Sequence, residues 1–254
     1  MRLAVVMPAF NQLYVTKQAV ESLFAATADP DWCLVFVNDG STDGTHEYAL
    51  ELKYKYGSKV KYVCHPQNQG VTAAWNAGLS RTDSLYVAIV NNDVLFTSGW
   101  ETALISALEA NPQLAVVSPL STHGAVPRDW PEGADREPNP AGYVGYMPIV
   151  GCCFMCRTAL FDEIGMFPEE LKIFFSDNWI VLASQAKGYE CGYAQDSYIH
   201  HHFCTTTSKI NQGPHWAHDG DAFKKIAAEI GIPMKPYVQR QGEDWRKLPV
   251  TGVK

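Results

Sequence analysis

The sequence has no apolar stretch approaching the roughly 18 residues that a membrane-spanning helix requires, which argues against a synthase that threads its product through a bilayer. Its N-terminal apolar run, within MRLAVVMPAF, is cut at Pro8 and followed by no small-residue cleavage site, so it does not read as a signal peptide. Positive charge is also in short supply. Twenty Lys and Arg face 27 Asp and Glu, a net charge of −7, which weighs against nucleic acid or an anionic membrane as a global partner. The exception is the stretch Phe223–Lys254, where seven basic residues stand against three acidic ones. An acidic body therefore carries a weakly basic C-terminal tail, 232–254. No repeat and no low-complexity segment is present, and 46% hydrophobic with 19% charged residues excludes wholesale disorder. The seven cysteines are odd in number and scattered, and Cys153-x-x-Cys156 has no second pair to complete a structural zinc site. Reduced, mostly buried thiols point to a cytoplasmic protein.

Short apolar runs alternating with helix-period stretches are what the first half does contain. Leu3–Met7, 33–37 (CLVFV), 59–65 (KVKYVCH) and 84–90 (SLYVAIV) read as strands. Between them, 15–26 carries Val15, Ala19, Val20, Leu23 and Phe24 on one helical face. A second helix capped by Thr42 or Asp43 is predicted to run to about Tyr56, and a third from Val71 to Leu79. This alternation predicts an α/β fold with a parallel sheet covered on both faces, its ligand-binding loops following the strands at Pro8, Asn38, His65 and Asn91. Further on, helices are expected over Thr97–Ala110, Arg157–Ile164, Asn178–Lys187 and Asp219–Ile230, and strands over Leu114–Ser118 and Ile149–Met155. Residues 121–148, with five prolines and four glycines, read as a long loop of the kind used as a lid or acceptor surface. One domain over 1–254 is expected: a nucleotide-type half (1–95), an acceptor-type half (96–231), and the basic tail (232–254).

Four signatures end or follow these strands in order: VVMPAFN (5–11), FVNDGSTDGT (36–45), NQGVTAAWNAG (68–78) and VNNDV (90–94). GCCFMCRTALFDEIGMF (151–167), Ser176-Asp177 and the triplet His200-His201-His202 come after them. Over residues 2–231 this series resembles a family 2 glycosyltransferase. The resemblance implies the GT-A type of α/β fold, a Rossmann-like, mostly parallel central sheet with helices on both faces. It also implies an inverting enzyme that moves a sugar from a nucleoside-diphosphate sugar, in the first place a UDP-sugar, to an acceptor hydroxyl.

A diphosphate donor needs polar groups for its base and ribose and a cation for its charge. The resemblance assigns the donor to Pro8, Ala9, Phe10, Asn11, Asn38, Asp39, Gly40, Asn68, Gly70, Asn76, Asn91 and Asn92. Asn, Asp, Gly and Ser at 38–44 also suit a plain turn and helix cap. Asp93 stands at the last position of the family's Asp-x-Asp and is the candidate ligand for Mn²⁺ or Mg²⁺, cations that take few protein ligands and let phosphates fill the rest. A nearby histidine completes that site in many relatives. On an extended segment His200 and His202 share a face, and His202, then His200, is the favoured partner. His215 and His218 offer H-x-x-H, but their tryptophan and glycine neighbours suit a solvated loop.

Asp177 matches the family's general base, with Phe174, Phe175 and Trp179 as neighbours able to desolvate it. It also suits a helix N-cap. Gly151 and Cys152 match the small-residue acceptor wall, and Trp130 and Trp179 are candidates for stacking on a sugar. Asn38, Asn91, Asn92 and Ser176 stand where acids are common in the family, so a sugar-nucleotide-binding protein without catalysis is the rival reading. A nucleotidyltransferase lacks its glycine-rich phosphate loop near residue 10. The acceptor is open: glycan, lipid-linked sugar, protein, small molecule or, given the basic tail, a modified DNA base.

Overall fold

Strands buried on both faces must be apolar at every position rather than at alternate ones. β1 (Leu3–Ala9) and β2 (Trp32–Asp39) meet that condition, with Leu3, Val5, Met7, Leu34 and Phe36 in one core and Ala4, Val6, Cys33, Val35 and Val37 in another. The structure, a computed structural model, describes residues 1–123, 149–202 and 212–231. Trp130 and the tail 232–254 lie outside the described residues.

The chain runs β1, α1 (Leu13–Ala26), β2, α2 (Thr45–Tyr56), β3 (Val60–His65), α3 (Val71–Leu79), β4 (Tyr86–Val90) and β5 (Val94–Phe96). It continues through α4 (Trp100–Ala110), β6 (Leu114–His123), β7 (Cys153–Arg157), α5 (Leu160–Ile164), α6 (Ser176–Ala186), β8 (Glu190–His201) and α7 (Gln212–Ile230). All eight described strands form one sheet in the order β3-β2-β1-β4-β7-β6-β8-β5. The first four are mutually parallel, and β6 and β8 are also parallel; β7 pairs antiparallel with both β4 and β6, and β5 with β8.

The chain moves outward from β1 to β3 through α1 and α2, then returns through α3 to β4 on the other side of β1. Right-handed crossovers taken in opposite directions put their helices on opposite faces. Accordingly Ala19, Val20, Leu23, Ala49 and Leu52 join the first core, and Ala74, Trp75 and Leu79 the second. The reversal at β1 leaves a crevice at the carboxyl ends of β1, β2 and β4, the usual ligand position in such sheets.

Several boundaries differ from the sequence expectation. The helix expected from Thr97 begins at Trp100, because Val94–Phe96 pair with β8 and Gly99, at φ +75°, forms the N-cap. The strand expected over 114–118 continues to His123 along β8. Arg157 closes β7 instead of opening a helix. α7 starts at Gln212, not Asp219: Pro214 falls in its first turn, where a missing N–H is tolerated. His215 and His218 are therefore helical rather than in a loop.

Candidate active site

A cleft of about 520 Å³ opens where the β1, β2 and β4 loops meet the start of α6. From the donor-side assignments it gathers Pro8, Ala9, Phe10, Asp39, Asn68, Gly70, Asn91 and Asn92, and from the acceptor side Gly151 and Asp177. Residues separated by most of the chain thus share one wall.

Asp39, at the end of β2, is 4% exposed. Its Oδ1 accepts from His65 Nδ1 at 2.7 Å and Gln69 N at 2.9 Å, and its Oδ2 accepts from Gly70 N at 3.1 Å. It therefore shapes the loop entering α3 as well as facing the cleft. The neighbouring Gly40 is obligatory for a local reason: it has φ +75°, and a Cβ there would lie 2.4 Å from the Gln67 carbonyl carbon.

Three asparagines and Gly40, assigned to the donor from sequence, do not line the cleft. Asn11 accepts from Thr42 N at 2.8 Å and its own N–H donates to Ser41 Oγ at 2.8 Å, which ties the β1 loop to the β2 loop. Asn38 accepts from Ser41 N at 2.9 Å and donates to Tyr62 Oη at 3.3 Å. Asn76 exchanges two bonds with the Phe167 backbone, donating at 2.8 Å and accepting at 3.0 Å. Each amide is engaged by protein groups, as burial demands. Neither Thr42 nor Asp43, the expected caps, is the N-cap of α2, which is Gly44 at φ +88°; the Asp43 carboxylate instead accepts from Thr45 N at 3.3 Å and, across the loops, from Leu13 N at 2.9 Å.

Asp177 stands in the first turn of α6; the N-cap is Phe175, at φ 64°. Its Oδ1 accepts from Asn178 N at 2.9 Å. Burial raises the carboxyl above its ordinary range, partly offset by backbone N–H groups of the first turn. Gly151 faces it so closely that a Cβ there would fall 2.5 Å from Oδ2. A desolvated carboxylate with raised proton affinity, open to a cleft, is suited to accept a proton.

The aromatic surroundings differ from expectation. Trp179 is 4% exposed, its ring 5.1 Å from Phe167 in the second core, so the stacking role assigned to it is withdrawn. Cys152 is likewise buried in the first core, and only its carbonyl reaches the loop, accepting from Asn91 N at 2.8 Å. Two tryptophans line the cleft: the buried Trp75 of α3, and Trp216 of α7, which is 56% exposed, edge-on to Phe174 (4.9 Å) and tilted against Phe175 (4.8 Å). Lys172 and His215 also line it. Sequence reasoning gave Lys172 no role and placed His215 in a solvated loop, since residues 212–218 are exposed and carry no apolar period.

At the end of β4, Asn92 donates to Thr16 Oγ1 at 2.8 Å and Asp93 is 5% exposed. The imidazole in contact with Asp93 is that of His201, Nε2 to Oδ1 3.1 Å, rather than His202 or His200. Register alone does not choose it: β5 pairs Val94 with His201, which sets His202 opposite Asp93, and His202 N donates to the Asp93 carbonyl at 2.9 Å, while alternation turns His200 and His202 together, their rings 6.3 Å apart. Burial alone would lower the His201 pKa, but Cys152 and Asp93 carry it up to about 10. His202 keeps a buried Nε2 with no partner among the described residues, and burial pulls its pKa down, toward the neutral form that binds metals. Among the described residues no three His, Cys, Asp or Glu side chains converge as a ready-made metal cluster. One carboxylate with adjacent imidazoles fits a cation that draws its other ligands from phosphate and water.

Comparison with known proteins follows this geometry. The model of the family described as Glycosyl transferase family 2 matches residues 4–165. An uncharacterized glycosyltransferase of Rickettsia bellii is 26% identical over 181 residues, 67% of this chain, and the chain spans 24% of that relative's length. Among solved structures, S. aureus TarS 1-349 in complex with UDP superposes with a TM-score of 0.59 at 19% identity, covering 79% of this chain and 60% of that one. GalNAc-T7 with UDP, GalNAc and Mn²⁺ superposes with a TM-score of 0.64 at 15% identity, covering 79% and 44%. These likenesses carry the fold, the GT-A type α/β architecture with its mostly parallel sheet. Among the described residues no helix is long and apolar enough to cross a membrane. A family match that runs from β1 through α5, over more than half of the chain and over the cleft loops that follow β1, β2 and β4, makes this chain a member of glycosyl transferase family 2.

Proposed function

We propose that the protein is an inverting glycosyltransferase that moves a sugar from a UDP-sugar to an acceptor hydroxyl. The observation that carries this reading is the half-buried, desolvated carboxylate of Asp177 in the same cleft as Asp39, Asn91 and Asn92. In this mechanism the donor lies along Pro8–Phe10, Asp39, Asn68, Gly70, Asn91 and Asn92. The acceptor enters beside Trp216, whose accessible ring offers an apolar face to a sugar. As the acceptor oxygen attacks the anomeric carbon from the face opposite the diphosphate, Asp177 takes its proton and the bond to the diphosphate breaks. Asp93, with the neutral imidazole of His202, would hold Mn²⁺ or Mg²⁺, which would supply positive charge against the leaving diphosphate. The six described cysteines are free thiols, in keeping with a reducing, cytoplasmic setting.

The test is Asp177→Asn, assayed for transfer from the UDP-sugar that the wild type uses. Turnover is expected to fall by at least about 10²-fold with UDP affinity retained, because the shape stays and the proton acceptor goes. Wild-type turnover would leave Asp177 a structural residue. UDP-sugar binding by the wild type, with no transfer to any acceptor and no donor hydrolysis, would favour a binding protein.

A further inference from the structure

We propose that Asp219 of α7 is a positioning residue for Asp177, holding from outside the cleft the segment Lys172–Phe175 that leads into α6. This rests on Asp177 being the base. Asp219 is fully buried, yet it is acidic and lies on a helix whose exposed face carries many charges. A buried carboxylate needs fixed donors, and here they come from one short segment. Oδ2 accepts from Ile173 N at 2.8 Å and Phe174 N at 2.9 Å, and Oδ1 faces His218 Nδ1 at 2.8 Å. Burial opposes the charge, but the bonds from Phe174, His218 and Ile173 hold the carboxyl below its ordinary range.

The other flank of the same segment is fastened to α3. The Lys172 carbonyl accepts from Val71 N at 2.7 Å and the Leu171 carbonyl from Thr72 Oγ1 at 2.7 Å. Immediately after these ties Phe175 adopts φ 64°, a left-handed conformation that a phenylalanine keeps only when its surroundings over-determine it. α7 supplies those surroundings. The Phe175 ring stacks on Phe223 at 5.4 Å and 15°, and a Cβ on Gly220 would stand 3.6 Å from it. Helix α6 starts at the next residue and Asp177 one further on, so the direction in which its carboxylate enters the cleft is inherited from the grip of Asp219 on the preceding backbone.

A kinetic double-mutant cycle on the full chain tests this, with Asp219→Ala and Asp177→Asn singly and together, transfer rates from the UDP-sugar, and UDP affinity by calorimetry. Asp219→Ala is expected to lower kcat about tenfold or more with UDP affinity within about twofold, the pattern of a displaced catalytic group. In the Asp177→Asn background the same substitution should change kcat less than about twofold, because the group it positions is gone. An undiminished effect in that background overturns the proposal. So does unchanged kcat in folded Asp219→Ala. If Asp219→Ala does not fold, Asp219→Asn, which keeps one acceptor oxygen toward Ile173 and Phe174, carries the same cycle. Wild-type turnover by Asp177→Asn alone removes the base assignment, an outcome separate from a failure of coupling while Asp177→Asn is inactive.

Discussion

Gly151→Ala should separate catalysis from binding more cleanly than any change to a charged residue. Gly151 does not occupy the left-handed region, so alanine brings no backbone strain and acts through its methyl group alone. That methyl would stand 2.5 Å from Asp177 Oδ2, 3.0 Å from its Cγ and 3.2 Å from its Cβ. Relief to ordinary contact requires the carboxylate to retreat by about 1 Å, with loss or distortion of its 2.9 Å bond from Asn178 N. Overpacking of this size lowers stability by about 1–3 kcal/mol. A base displaced by about 1 Å loses roughly 10²-fold in rate, because proton transfer needs hydrogen-bond reach. The assay is kcat for transfer beside UDP calorimetry and a thermal melt. The expected result is a large fall in kcat, unchanged UDP affinity and a modest fall in Tm. A folded Gly151→Ala enzyme with wild-type kcat would refute both the closeness of this contact and the role it gives Asp177.

Other outcomes follow from the same geometry. Asp177 has a raised pKa in the fold, so its contribution to stability is present below the unfolded value of about 3.9 and is lost as pH rises through the folded value. Asp177→Asn should therefore melt above the wild type at neutral pH and converge with it in acid; equal melting at pH 7 contradicts a buried, ionised carboxylate. Asp93→Ala and excess EDTA should each lower transfer by orders of magnitude, whereas full activity in EDTA removes the cation from the mechanism. Trp216→Ala should raise the acceptor KM about two- to tenfold with donor affinity unchanged, and an unchanged KM places the acceptor elsewhere.

The parallel half of the fold was legible because β1, β2 and β4 are buried on both faces and so appear as continuous apolar runs bounded by turn residues. β5 was not, since three residues carry no period and its partner β8 lies about a hundred positions away. The cleft was legible as a set of loops, and less so residue by residue. An asparagine beside a strand looks the same whether its amide meets a ligand or a backbone, and for Asn76 the deciding partner, Phe167, is remote in sequence. Alternation paired His200 with His202 but could not say which ring meets Asp93, whose carbonyl accepts from His202 N while its carboxylate meets His201. Trp179 shows the same limit: core and cleft faces of a helix are distinguished by what packs on them.

The bonds between α3 and residues 167–172 set how the cleft can breathe. Asn76 clasps Phe167 on both sides of its peptide, Val71 and Thr72 hold Lys172 and Leu171, and Lys172 Nζ reaches back to the Gln69 carbonyl at 3.2 Å. A hinge along this seam would have to break all of them together, so the cleft wall on α3 and the wall leading into α6 move as one piece, and the cleft opens on its unsewn side. Amide protons at Val71 and Phe167 should then exchange with solvent only as slowly as the sheet itself, marking the seam as part of the rigid frame rather than of a gate.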